Sequence, residues 1–141
     1  FRVVGRCDQA VSRLAGHPNV TVTGYVADIE AELARADAVV VPIRFGSGTR
    51  LKILEAFAHR IPVASTTLGA EGLGARPNQE LLLADTPKDL AAACIRLLTE
   101  EQLRETLAQR AEVLYLARYQ WSDIREQVAR LVAEISTYTQ H

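Results

Sequence analysis

The sequence predicts an α/β fold: a parallel sheet covered on both faces by helices, with a helical C-terminal third. Three observations predict it. Short apolar runs alternate with segments of helical periodicity. The run Ala38-Val-Val-Val-Pro42 is apolar at every successive position, as strands buried on both faces of a parallel sheet are. From Thr86 onward the pattern is helical throughout.

Each element follows from local chemistry. Arg2-Val-Val-Gly5 reads as a strand and residues 9–15 as a short helix. Pro18-Asn-Val-Thr-Val-Thr-Gly24 holds a second strand between turn residues. Asp28 is the N-cap of a helix whose first turn carries Glu30 and Glu32, where the dipole favours negative charge. Ile29, Leu33 and Ala36 give that helix its apolar face. The third strand, 38–42, leads into a helix from about 49 to 59, then the strand Pro62-Val-Ala-Ser65. A glycine-rich loop, Gly69 to Gly74, precedes the strand Glu80-Leu-Leu-Leu-Ala84. Thr86-Pro-Lys-Asp89 has a capping hydroxyl, proline at the first helical position and an acid three residues on. Leu90, Ala93, Cys94, Leu97 and Leu98 form the stripe of that helix. Thr99 with Gln102 reads as another cap, and Leu103, Leu107, Ala111 and Leu114 continue at helical spacing. Trp121, Ile124, Val128, Leu131, Val132 and Ile135 mark a last amphipathic helix after Ser122.

A length of 141 residues suits one domain, and 48% hydrophobic with 23% charged residues excludes a disordered tail. A net charge of -1 argues against a nucleic-acid or polybasic membrane module, which needs clustered positive charge. No apolar run reaches the ~18 residues of a membrane span. Cys7 and Cys94 lack metal-ligand spacing and read as reduced thiols of a cytoplasmic protein, and His17, His59 and His141 form no ligand pattern. Phe1 opens a strand pattern with no methionine before it, so the chain is expected to be a piece of something longer.

In parallel sheets ligands bind beyond the carboxyl ends of the strands. There the third strand runs through Ile43-Arg44-Phe45-Gly46-Ser47-Gly48-Thr49-Arg50 into the helix starting at Leu51. A glycine-rich loop opening a helix offers free N–H groups to an anion, and the dipole adds to the attraction. Arg50 and Lys52 set positive charge in the first turn, against the dipole, which points to a bound anion such as a diphosphate. The alternative is a solvated turn with two surface cations. Lys52, Glu55 and His59 share one face of an otherwise apolar helix. Glu55 lies one turn in, about 5 Å on, a separation that suits the hydroxyls of a ribose attached to that diphosphate. The alternative is a surface salt bridge with Lys52, contributing about 0.2–0.5 kcal/mol. The loop lacks the third glycine of a dinucleotide fingerprint and the Gly-Lys-Ser/Thr of a P-loop.

Gly24-Tyr-Val-Ala-Asp28, Ala36-Asp-Ala-Val-Val-Val-Pro42, Gly46-Ser-Gly-Thr-Arg-Leu-Lys-Ile-Leu-Glu-Ala56, Pro62-Val-Ala-Ser65 and Gly69-Ala-Glu-Gly72 occur in this order. Together they resemble the C-terminal, donor-binding half of retaining GT-B glycosyltransferases of the group 1 type. Tyr119-Gln-Trp-Ser122 is similar to the segment that begins the closing helix of that family.

The resemblance covers essentially the whole chain. It implies a Rossmann-like three-layer α/β/α domain, half of a GT-B architecture, spanning 1–141 as a nucleotide-sugar donor-binding domain. By this resemblance Gly46, Ser47, Gly48, Thr49, Arg50, Leu51 and Lys52 meet the donor diphosphate. Glu55 binds the ribose, Gly24, Tyr25 and Val26 meet the nucleobase, and Glu71 is a weaker candidate in a donor loop. Tyr25 has the alternative of a half-buried packing role.

Two departures stand out. Ser47 replaces a glutamate that the family often carries eight residues before the position of Glu55. The N-terminal acceptor domain and the first strand–loop–helix of the donor domain are absent, and self-association of the fragment is expected. The implied substrate is a nucleotide sugar, without a metal or other cofactor, and the implied reaction is sugar transfer to an acceptor hydroxyl with retention. The enzyme would be cytoplasmic, or held at a membrane periphery through the missing domain. The alternatives are a nucleotide-sugar epimerase of the same fold and a non-catalytic interaction module.

Overall fold

The computed structural model describes residues 1–46, 48 and 50–138, with backbone alone at 121–123, 127 and 136–138. Ser47, Thr49 and His141 lie outside the described residues. The chain divides into two compact units, Phe1–Ala36 and Asp37–His141.

In the first unit, strand β1 (Arg2–Val4) pairs in parallel with β2 (Thr21–Gly24), Arg2 opposite Thr21 and Val3 opposite Val22. The register then slips, and Val4 faces Gly24. Between the strands lies α1 (Gln9–Ser12), capped by Asp8, whose carboxylate accepts from the Val11 amide at 2.9 Å. The helix predicted over 9–15 stops at Ser12, and the chain tightens into a 3₁₀ turn over Arg13–Gly16. The Asp28 cap of α2 (Ile29–Leu33) is as predicted, accepting from Ala31 at 3.0 Å. Glu32 on this helix takes a two-bond fork from Arg2, both bonds 2.9 Å. Among the described residues of this unit none is fully buried.

The second unit holds a parallel sheet in the order β3-β4-β5, formed by Val39–Val41, Val63–Ser65 and Leu82–Leu83. The single sheet predicted from sequence is thus registered as two parallel sheets, one in each unit. Glu80, predicted to open the last strand, is instead a buried turn residue, and β5 is confined to two residues. Helix α3 (Leu51–Ala58) turns Ile53, Leu54, Ala56 and Phe57 inward against β3, β4 and α5 (Glu101–Arg118). Its C-terminus closes with Arg60 in the left-handed region at φ 54°, while the amides of Arg60 and Ile61 bond the carbonyls of Phe57 and Ala56. Helix α4 (Pro87–Thr99) begins at the Thr86 cap, whose hydroxyl accepts from the Asp89 amide at 3.1 Å.

The core gathers Ala64, Leu82, Ala84, Ala93, Leu97 and Leu107, with Leu90, Cys94 and Leu103 packed against it. Leu98, placed in the same stripe by periodicity, is exposed, because the core side of α4 narrows to Ala93 and Leu97. Thr99 is not a cap. It is the last residue of α4, its hydroxyl donates back to the Ile95 carbonyl at 2.8 Å, and Glu100 stands at the N-cap of α5. Helix α6 spans Trp121–Tyr138 and leaves Val128, Leu131, Val132 and Ile135 exposed. Cys7 and Cys94 are free thiols. Among the described residues no helix is long and apolar enough to cross a membrane.

Candidate functional site

The predicted site residues fall into both units. Gly24 ends β2 at φ 69°, Val26 is half-buried, and Tyr25 is 74% exposed. The half-buried packing role considered for Tyr25 is therefore incorrect. Its ring instead faces the Arg6 guanidinium, 6.0 Å from the ring centre, at the limit of a cation–π contact.

The rest lies in the second unit. Gly46 and Gly48 have φ of 116° and 109°, a region that side-chain-bearing residues rarely adopt, so glycine is required at both. The loop ends on Arg50, which stands at the N-cap of α3 rather than in its first turn. Guanidinium groups only donate, so Arg50 offers the first-turn N–H groups no side-chain acceptor. Leu51 and Lys52 follow, both exposed.

The position of the Arg50 side chain was not foreseen. It is buried, with its Nη2 3.6 Å from Oε2 of Glu71, and among the described residues its Nε has no hydrogen-bond partner. Leaving a buried charged donor unmet costs about 1–3 kcal/mol. Glu71 itself is exposed and directly follows a 3₁₀ turn, Leu68–Ala70. That turn is fixed from beneath. The Thr66 hydroxyl donates to the Ile43 carbonyl and accepts from the Gly69 amide at 3.0 Å, and the buried Ser65 hydroxyl bonds the Val41 carbonyl at 3.2 Å. Asp85 takes two further bonds from Thr67, amide and hydroxyl both at 2.7 Å, and these hold its carboxyl below the usual carboxylate range.

Glu55 is exposed on α3, one turn beyond Arg50, on the face it shares with Lys52 and His59 as predicted. Among the described residues no ion pair joins it to Lys52, so the salt-bridge alternative does not hold in this structure. Sequence reasoning also missed an open pocket of about 440 Å³ beyond the carboxyl ends of β3, β4 and β5. Ile43, Arg44, Thr66, Leu68, Asp85, Thr86 and Pro87 line it. The available signal was position, since each residue lies within a few positions of a strand's end.

The fold recurs in solved structures. Sucrose-phosphate synthase from Thermosynechococcus elongatus superposes with a TM-score of 0.83 at 22% identity, over 97% of this chain and 38% of that one. Anabaena HepE, in complex with UDP and glucose, gives 0.81 at 21% identity, over 94% of this chain and 39% of that one. The C-terminal domain of a group 1 glycosyl transferase from Francisella tularensis gives 0.68 at 24%, over 80% and 60%. The chain thus spans well under half the length of the first two. None of the curated proteins matches it. The parallel α/β units with C-terminal helices are those of the C-terminal half of GT-B enzymes. A family model, "Glycosyl transferases group 1", matches residues 1–100, and the chain belongs to that family.

Proposed function

We propose that the chain is the donor-binding half of a sugar-transferring enzyme, and that residues 46–55 hold the diphosphate and ribose of a nucleotide sugar. The observation that carries this reading is the start of α3: a buried arginine whose Nε meets no acceptor among the described residues stands at the N-cap, and one turn on is an exposed glutamate with no ion pair among those residues. A diphosphate can use the Arg50 guanidinium, the Lys52 ammonium and the first-turn N–H groups together. Glu55 then accepts two ribose hydroxyls. The complex of HepE with UDP and glucose supports a donor of that class.

Transfer to an acceptor hydroxyl with retention requires charge to develop on a departing diphosphate. The residues of this chain would stabilise that charge by fixed N–H dipoles and cations, and would hold the donor in place. The acceptor pocket and the opposite wall of the cleft belong to another half, so the chain alone does not transfer sugar. Titration calorimetry with UDP, uridine and pyrophosphate tests this. UDP and pyrophosphate should bind, and Lys52→Ala should weaken both, less so at high salt, while leaving uridine unchanged. A chain that binds no nucleoside diphosphate from a panel of UDP, GDP and ADP is an interaction module instead.

A further inference from the structure

Three arginines of this protein can be compared by how they use the fork formed by Nε and Nη2. Arg2 closes it on Glu32 with two bonds of 2.9 Å. Arg96 closes it on Glu100 with bonds of 2.8 and 3.1 Å. Both side chains are 40% exposed or more. Arg50 is 8% exposed and so has the most to gain from a closed fork, yet its Nη2 reaches Glu71 only at 3.6 Å and its Nε meets no acceptor among the described residues. The side chain of Glu71 is 71% exposed.

We propose that Glu71 is an internal counter-ion on Arg50 that the donor's diphosphate displaces; this rests on the anion-site reading above. A phosphate oxygen pair matches the guanidinium fork in the way a carboxylate does, and can fill both donors at once. Glu71 leaves cheaply, because water takes over a carboxylate already mostly in solvent. It must also leave, because its negative charge stands where a second anion arrives. The loop beneath need not move, since Thr66 and Asp85 hold it. Glu71 therefore compensates the buried guanidinium while the site is empty and lowers affinity for the donor, instead of contributing a contact to it.

The test is a double-mutant cycle on this chain with pyrophosphate and UDP as probes. Glu71→Gln keeps the shape and removes the charge. It should tighten both probes by roughly three- to tenfold, as loss of a neighbouring like charge does. The gain should vanish in an Arg50→Gln background; Arg50→Lys, which keeps charge without the fork, replaces that background if Arg50→Gln does not fold. The Nε–H resonance of Arg50 should shift on adding pyrophosphate to the parent. If Arg50→Gln weakens pyrophosphate while Glu71→Gln leaves it unchanged or weaker, the displacement proposal is overturned and the anion site stands. If Arg50→Gln leaves pyrophosphate affinity unaltered, the anion-site reading itself falls.

Discussion

Tyr119 donates its phenolic hydrogen to the carbonyl oxygen of Leu73 at 2.9 Å, across 46 positions of sequence. Tyr119 caps the C-terminus of α5, and Leu73 is a buried residue of the glycine-rich loop that carries Glu71. One hydrogen bond thus ties the helical C-terminal third to the loop beside the candidate site. Tyr119→Phe keeps the ring and removes the donor, leaving that carbonyl without this partner. Urea unfolding should show a loss of about 1 kcal/mol, with the slope of the transition unchanged.

Glu80 should govern part of the acid stability. Its carboxylate is buried and accepts from the Arg76 amide at 2.7 Å and the Arg76 guanidinium at 2.8 Å. Burial alone would push its carboxyl up, but the Arg76 bonds, with the charges of Arg76 and Arg110, outweigh burial and hold it below the ordinary range. The stability this contributes is present above the unfolded value of about 4.3 and is lost as pH falls through the lower folded value. Glu80→Gln should cost about 1–3 kcal/mol near neutral pH and make stability fall less steeply below about pH 4.3. An offset from the parent that is constant down to pH 2 would contradict this.

Gly69 has no room for a side chain. A Cβ there would overlap the Ser65 hydroxyl and stand 3.0 Å from the Val41 carbonyl oxygen, which is backbone and cannot swing away. Gly69→Ala should destabilise by about 1–3 kcal/mol in denaturant unfolding. It should also move the Arg50 Nε–H resonance, because the turn that positions Glu71 is forced to shift.

What was legible in the sequence was whatever local chemistry decides. Asp28 and Thr86 were readable as caps because a short acceptor stands just before an apolar-periodic run. The exposure of Glu55 was readable from a single polar face on an apolar helix. Thr99 misled because the same hydroxyl can bond back to the carbonyl four residues earlier, and nothing local ranks the two bonds. Glu80 misled because its partner, Arg76, turns the chain where the apolar run alone suggests strand. The ion pair of Arg50 with Glu71 was invisible because it joins residues 21 positions apart, Glu71 following a turn anchored through Thr66 and Gly69. Arginine also carries a strong prior for the surface. The end of α3 was readable to within a residue from where the polar-and-apolar pattern stops, although Arg60 and not glycine takes the left-handed position there.

The role of Glu55 tests the donor-domain reading most directly. Titration calorimetry of UDP into the parent chain and into Glu55→Ala should show weaker binding by about 1–3 kcal/mol in the variant, the loss of two charge-assisted bonds to ribose hydroxyls. Pyrophosphate, which has no ribose, should bind both proteins alike, and thermal unfolding should coincide, since the exposed Glu55 side chain makes no ion pair among the described residues. Equal UDP affinity for parent and Glu55→Ala would contradict the assignment of α3 as the helix that holds the nucleotide.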